Sequence, residues 1–284
     1  MDQDQKKAFH QGILESIQKM CLMDDNFMSM VLQHKECMEL VLRIILGKDD
    51  LSVIECKTQY EIHNLRNRTV RLDVFAVDSE GKYYDIEIQR TDSGASPKRA
   101  RYNGSLMDAN SLEKSEDVDN LPETYVIFIT ENDVLGEKRP LYTIDRVIKE
   151  SGKPFNDGLH IIYVNSQIRD ESALGKLMRD FHNPEPSTMN YDILSDQSNF
   201  YKNGKGAPKM CKILEDLYKE FSKEERAEAE AKGIEKGREE GKEENKKENA
   251  INLLKTKKLS VKEIADAIGL SIDEVNKLAE SYPA

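Results

Sequence analysis

The chain has 284 residues, with 53 acidic against 42 basic side chains and a net charge of −11. So acidic a chain is not a general nucleic-acid coat, which would bind phosphate through an excess of Lys and Arg; contact with DNA would need a local basic surface or an acidic, metal-dependent site. No apolar run is long enough to span a bilayer, and four scattered cysteines without a CxxC pair argue for reduced thiols in a cytoplasmic protein rather than a disulfide framework or zinc cluster.

The N-terminal residues 1–24 read as a polar helix or arm, and "MDQDQKKAFHQGILES" lacks the charged-then-apolar pattern of a signal peptide. From Asp25 to Gly47 the pattern turns strongly apolar and predicts one or two packed helices. Asp25 or Asn26 can cap the first turn, and Gly47 can end the last helix. "LSVIECKTQYEI", "TVRLDVFAVD" and "KYYDIEIQRT" are rich in β-branched and aromatic residues and are separated by turn-like segments, which predicts a three-strand meander. "SPKRARYNGSLMDANSLEK" has helical spacing, "TYVIFIT" and "LHIIYVNS" fit buried strands, and "ESALGKLMRDFH" reads as a helix. This order makes an α/β domain with a mixed central sheet flanked by helices. Pro184, Pro186 and the 203–208 stretch read as loops.

From Met210 the composition shifts to a charged helix-former run in which Gly233, Gly237 and Gly241 recur at every fourth position. A solvated helical connector is expected there, with weak self-association through the glycine face as the alternative. The tail "KLSVKEIADAIGLSIDEVNKLAE" reads as two short helices, with Ser260 and Ser271 as N-caps and Glu263 and Glu274 as their capping-box partners. The expected organisation is 1–24 arm, 25–205 α/β domain, 206–250 connector and 251–284 a small helix-turn-helix-like module.

The hairpin "RLDVFAVDSEGKYYDIEIQR" (residues 71–90) places acids inside strands. Residues two apart share a face, so Asp85, Glu87 and Gln89 line one side while Ile86 and Ile88 point to the core. Pairing across the Ser-Glu-Gly turn brings Asp73 close to Glu87 and Gln89. Two carboxylates meeting on a sheet are costly unless a cation joins them. A hard divalent ion such as Mg2+ takes one or two carboxylates, and the Ile88 carbonyl offers another oxygen. Such an ion polarises a phosphoryl group and activates water.

An Asp followed about a dozen residues later by Glu-x-Gln on the next strand, set within "DDNFMSMVLQHKECMELVLRIILG", "RARYNGSLMDANSLEK", "LPETYVIFITENDVLGEKRPLYTI" and "DGLHIIYVN" in series, resembles the PD-(D/E)xK nuclease family transposases, the recombination-promoting nucleases, over about residues 20–200. The resemblance implies a restriction-endonuclease-like core and a DNA endonuclease using Mg2+, with Mn2+ as a substitute, that promotes recombination or transposition. It makes Asp73 and Glu87 metal ligands and puts Gln89 at the position of the superfamily lysine. An amide has no cationic charge and is no general base at neutral pH, though it can hold water by hydrogen bonding. The superfamily often adds a helix carboxylate. Glu36 and Glu39 are the candidates and Glu36 is favoured by its place in the segment, since Glu39 has an ordinary i,i+4 partner in Arg43.

Basic residues flank this site in sequence: Arg66, Arg68 and Arg71 before it, and Arg90, Lys98, Arg99 and Arg101, with Tyr102, after it. Phosphate-backbone contact is the functional reading, and the resemblance favours Arg99, Arg101 and Tyr102 as a wall of the site. The second tail helix starts with Asp273 and Glu274, which suits self-association or partner docking better than base reading. The five histidines, His63 and His160 among them, form no metal-binding motif. No GxxxxGK[ST] loop is present, so no nucleotide cofactor is expected. The competing reading is a weak or inactive nuclease-fold protein that binds nucleic acid or a protein partner. It is motivated by the missing lysine, the net acidity and the charged tail.

Overall fold

A computed structural model of the protein describes residues 3–62 and 69–281, and the chain divides into two compact units, Met1–Leu214 and Glu215–Ala284. The first unit opens with α1 (Gln3–Lys19), α2 (Asp25–Leu32) and α3 (Lys35–Leu46). The apolar span from Asp25 is therefore two helices, parted at Gln33 and His34, and Gly47 ends the second in the left-handed conformation (φ 65°) that costs a residue without Cβ little. Asp24, one residue earlier than expected, occupies the N-cap of α2. Of the helix or arm expected at the N-terminus, residues 3–19 form a helix, and its Ile13 and Ile17 are each 1% exposed within the main core.

Strands β1 (Val53–Ile62), β2 (Val70–Asp78) and β3 (Tyr83–Gln89) form the expected antiparallel meander. Helix α4 (Pro97–Ala109) then crosses to β4 (Thr124–Thr130), which runs parallel to β3 and to β6 (Leu159–Asn165). A short edge strand, β5 (Leu141–Ile144), pairs antiparallel with β6 and completes the six-stranded mixed sheet in the order β1-β2-β3-β4-β6-β5. The four-residue β5 is too short to read from alternation. Helices α5 (Ala173–Phe181) and α6 (Asp192–Lys202) follow. The prolines at 184 and 186 precede α6, whose Leu194, Ser198 and Tyr201 are buried although its sequence is polar.

Helices cover both faces of the sheet. Ile86, Ile88, Ile127 and Ile129 pack with Phe27, Met28, Val31, Val41 and Leu42 on one side. Phe75, Val77, Val126 and Phe128 pack with Ala100, Leu106 and Met107 of α4 on the other. Strand β3 is thus central and buried on both faces. Each large aliphatic side chain buried there contributes about 1.5–3 kcal/mol, which holds in place a strand whose other face carries Asp85, Glu87 and Gln89.

The second unit contains most of α7 (Ala207–Thr256), followed by α8 (Val261–Ile268) and α9 (Ile272–Ser281). The charged run and the expected connector boundary at 250 both lie inside α7. Ala250, Ile264, Ala265 and Val275 form the unit's small core with Leu253, Leu254, Ile268 and Leu278. Ser260 and Ser271 each exchange hydrogen bonds with the glutamate three residues on, as the capping boxes predict. Among the described residues no helix is long and apolar enough to cross a membrane.

Candidate functional site

The hairpin is closed at its turn and open at its far end. Strand β2 pairs with β3 from Val77↔Tyr83 to Val74↔Ile86, and the pairing stops there. On the other side β1 pairs at Thr58↔Val74 and Tyr60↔Leu72, leaving Gln59 opposite Asp73. Gln59 has a positive φ of 52°, which is uncommon for a residue with a Cβ, and its side-chain amide donates to Ser29 Oγ of α2 at 3.1 Å. The kink interrupts the β1 ladder at Asp73, which also lies beyond the last β2–β3 pair, so Asp73 stands outside both ladders. It also re-aims the strand: Leu72 packs on the α4 side, which strict alternation from Val74 would not allow.

Side chains fill the opened ladder. The Ile88 N–H donates to Asp73 Oδ2 at 3.0 Å, and the Asp73 N–H reaches Glu87 Oε1 at 3.4 Å. The N–H and C=O of one extended residue face the same strand edge, so the Ile88 carbonyl shares the edge that Asp73 occupies. Glu87 Oε2 accepts from Arg99 Nη2 at 2.5 Å and from Gln89 Nε2 at 3.3 Å. Behind Glu87 the fully buried Asp85 accepts from Asn103 Nδ2 at 2.9 Å. Gly94, in a 3-10 turn before α4, lets the Gln89 amide lie against its backbone: a Cβ built there would stand 1.7 Å from Gln89 Oε1.

Crowding three carboxyls shifts their protonation. Burial, and then the neighbouring Glu87 charge, push Asp73 up to about 7, against the opposing Ile88 N–H and Arg99. Burial and the Glu87 charge push Asp85 well above the carboxylate range. Glu87 is raised by burial but held back by Arg99, the Asp73 N–H and a hydrogen bond from Asp85. A bound cation would reverse these shifts.

An open cavity of about 600 Å³ meets this end of the hairpin, lined by Asp25, Glu61, Thr69, Arg71, Asp73, Ile88, Gln89, Arg90, Thr91 and Arg99. The carboxylate that the helices bring to it is Asp25, from the first turn of α2, and not Glu36. Glu36 is exposed and outside the lining because α3 turns its stripe of Cys37, Met38, Val41, Leu42 and Ile45 inward. Glu39 is engaged by the Val53 N–H (2.9 Å), Ser52 Oγ (3.2 Å) and Arg43 Nη2 (3.4 Å). Asp25 was readable only as a helix-start residue; the extra signal was a second acid beside Asp24 where one cap suffices. Burial raises Asp25, and Arg90 and Arg71 oppose that shift. The turn before α2 is well tied. The buried Lys202 ammonium donates to the carbonyls of Gln18, Met20 and Pro184, and Arg90 Nε donates to the Met23 carbonyl at 3.1 Å while its Nη2 pairs with Asp24 at 3.3 Å.

The structure therefore brings Asp73, Glu87, Gln89, Arg71, Arg90 and Arg99 together and sets Arg101 and Tyr102 apart. The latter line an adjoining groove of about 500 Å³ with Ser93, Ser96, Lys98, Arg99 and Ser105. Arg66, Arg68 and His63 lie outside the described residues. His160 lies at the opposite end of the sheet, between Glu123 (3.2 Å) and Asp145 (2.6 Å). Among the described residues no group of three or more His, Cys, Asp or Glu side chains is arranged to hold a metal. Mg2+, which keeps several waters, needs only one or two carboxylates, and the all-oxygen set of Asp73, Glu87 and Ile88 fits that chemistry.

Residues 33–172 match the family model described as PD-(D/E)XK nuclease family transposase, a span that contains Asp73, Glu87, Gln89 and Arg99 but not Asp25. No curated protein and no solved structure matches the chain.

Proposed function

Because residues 33–172 belong to the PD-(D/E)XK nuclease family transposases, we propose that the protein is a metal-dependent DNA endonuclease whose cleavage promotes recombination or transposition. The observation that carries this reading is the broken ladder at Asp73, which sets two carboxylates and a backbone carbonyl edge beside a cavity with three arginines in its lining. Asp73, Glu87 and the Ile88 carbonyl would hold a divalent cation, which supplies phosphoryl polarisation and a more acidic water. Gln89, seated against Gly94, positions the attacking water by hydrogen bonding, since its amide takes up no proton. The Asp25 carboxyl, raised by burial and in the lining of the same cavity, is the group able to accept a proton. Arg71 and Arg99 face the phosphate, and Arg101 and Tyr102 extend the contact along the backbone.

The 215–284 unit serves self-association or partner docking. Glu274, near the start of α9, is committed to capping Ser271, and base reading would need basic or amide side chains there. The test of the main reading is nicking of supercoiled plasmid in Mg2+ or Mn2+ by wild type and Asp73→Ala. Loss of about 100-fold or more in the variant is expected for a missing metal ligand, and equal nicking by the two proteins removes the assignment. A weak or inactive protein, the reading favoured by the amide at Gln89, would nick in neither form yet still retain plasmid binding.

A further inference from the structure

Glu87 is wholly buried and does not line the cavity that Asp73, Asp25 and Ile88 share. Two side chains cover its carboxylate, Gln89 at 3.3 Å and Arg99 at 2.5 Å. They differ in freedom. Gln89 is pressed onto Gly94, whereas the Arg99 side chain is 39% exposed and lines two cavities at once: the carboxylate cavity and the groove along α4. The described lining of that groove holds Lys98, Arg99 and Arg101 with three serine hydroxyls and Tyr102, and no carboxylate. Cations and hydroxyls without acids suit a phosphodiester backbone. A guanidinium forks onto phosphate as well as onto carboxylate. The Arg99 backbone is fixed by Ser96, whose Oγ accepts its N–H at 3.3 Å, so a change of partner needs only the side chain to turn.

We infer that Arg99 is a displaceable cover on Glu87, drawn onto a phosphate seated in the α4 groove and so opening Glu87 to the Asp73 cavity only when nucleic acid is bound. This rests on the nuclease reading above and gives it an order: backbone engagement first, the second carboxylate second. The cation site is then completed by the substrate, and the protein without DNA would hold its ion weakly, through Asp73 and the Ile88 carbonyl without Glu87.

The test is Mn2+ titration by calorimetry on the full chain, with and without a short phosphorothioate DNA duplex, for wild type, Arg99→Gln and Asp73→Ala. The Asp73→Ala protein with duplex corrects for Mn2+ held by the DNA itself. Losing one charge-assisted competitor at Glu87 should make Arg99→Gln bind Mn2+ about tenfold more tightly than wild type. The duplex should tighten wild type by a similar factor and leave Arg99→Gln unchanged. Mn2+ binding that requires Asp73 but ignores both Arg99 and the duplex overturns the cover and leaves the nuclease reading standing. Mn2+ binding that is equal in wild type and Asp73→Ala removes both. If Arg99→Gln does not fold, the duplex arm on wild type decides alone: unchanged or weaker Mn2+ binding there overturns the inference.

Discussion

At the turn end of the β2–β3 hairpin, Asp78 is 4% exposed and accepts from the N–H groups of Glu80 and Lys82 and from the Tyr84 hydroxyl, all within 2.9 Å. Toward the other end Asp73, Asp85 and Glu87 have fewer donors for each carboxyl, one apiece for Asp73 and Asp85, and all three carboxyls are pushed upward by burial. The same two strands thus bury acid in two ways. Near the turn the charge is satisfied by the chain itself and serves the fold. At the open end it is left under-compensated, at a cost a folded protein ordinarily avoids. In the proposed nuclease a bound cation would complete the balance.

The largest expected effect that would sharpen this contrast is on stability. Asp78→Ala removes three hydrogen bonds and strands the buried Tyr84 hydroxyl, so urea unfolding should show a loss of about 3 kcal/mol, with nicking per folded molecule unchanged. A stable Asp78→Ala protein with impaired nicking would erase the distinction between the two ends. Next comes Gly94→Ala. The new methyl displaces the flexible end of Gln89 rather than backbone, so nicking should fall by about 10–100-fold through misplacement, while stability stays within about 0.5 kcal/mol. Unchanged nicking would show that the Gln89 amide does not need its seat.

The pH dependence follows from the raised carboxyls. Folded Asp73 keeps its proton up to about 7, whereas the unfolded chain releases it near pH 4. The native state therefore binds more protons across that window, and stability falls as pH rises through it. Asp85 and Glu87 act with the same sign. Urea midpoints measured in chelator from pH 4 to 7 should decline, and Asp73→Asn should flatten the decline; a rise over this range would contradict the assignment. The smallest effect is a contrast between helices. Glu36→Ala, on an exposed turn, should leave nicking within about twofold, whereas Asp25→Ala should lower it clearly. The reverse order would restore Glu36 to the site.

The features legible in the sequence were local ones. Alternation separated Ile86 and Ile88 from Glu87 and Gln89, turn residues joined the hairpin, and Gly47, Ser260 and Ser271 marked helix ends because caps act over three or four residues. The parts that escaped depend on tertiary contact. Asp25 reaches the cavity only because α2 packs against the open end of the hairpin. The kink at Gln59, which interrupts the β1 ladder opposite Asp73, is held by Ser29, thirty residues away. Arg99 was legible as a cation that could meet phosphate, but its bond to Glu87 depends on how α4 lies across the sheet. Helix α6, between the prolines and the 203–208 stretch, drew no reading of its own, because its sequence is polar apart from the few positions that it buries.

The most direct test of the central claim is anomalous diffraction from crystals soaked in Mn2+ with the phosphorothioate duplex bound. A Mn2+ peak in contact with both Asp73 and Glu87, with Arg99 turned onto a phosphate, is expected. A peak elsewhere, or no peak with Arg99 still paired to Glu87, would contradict it.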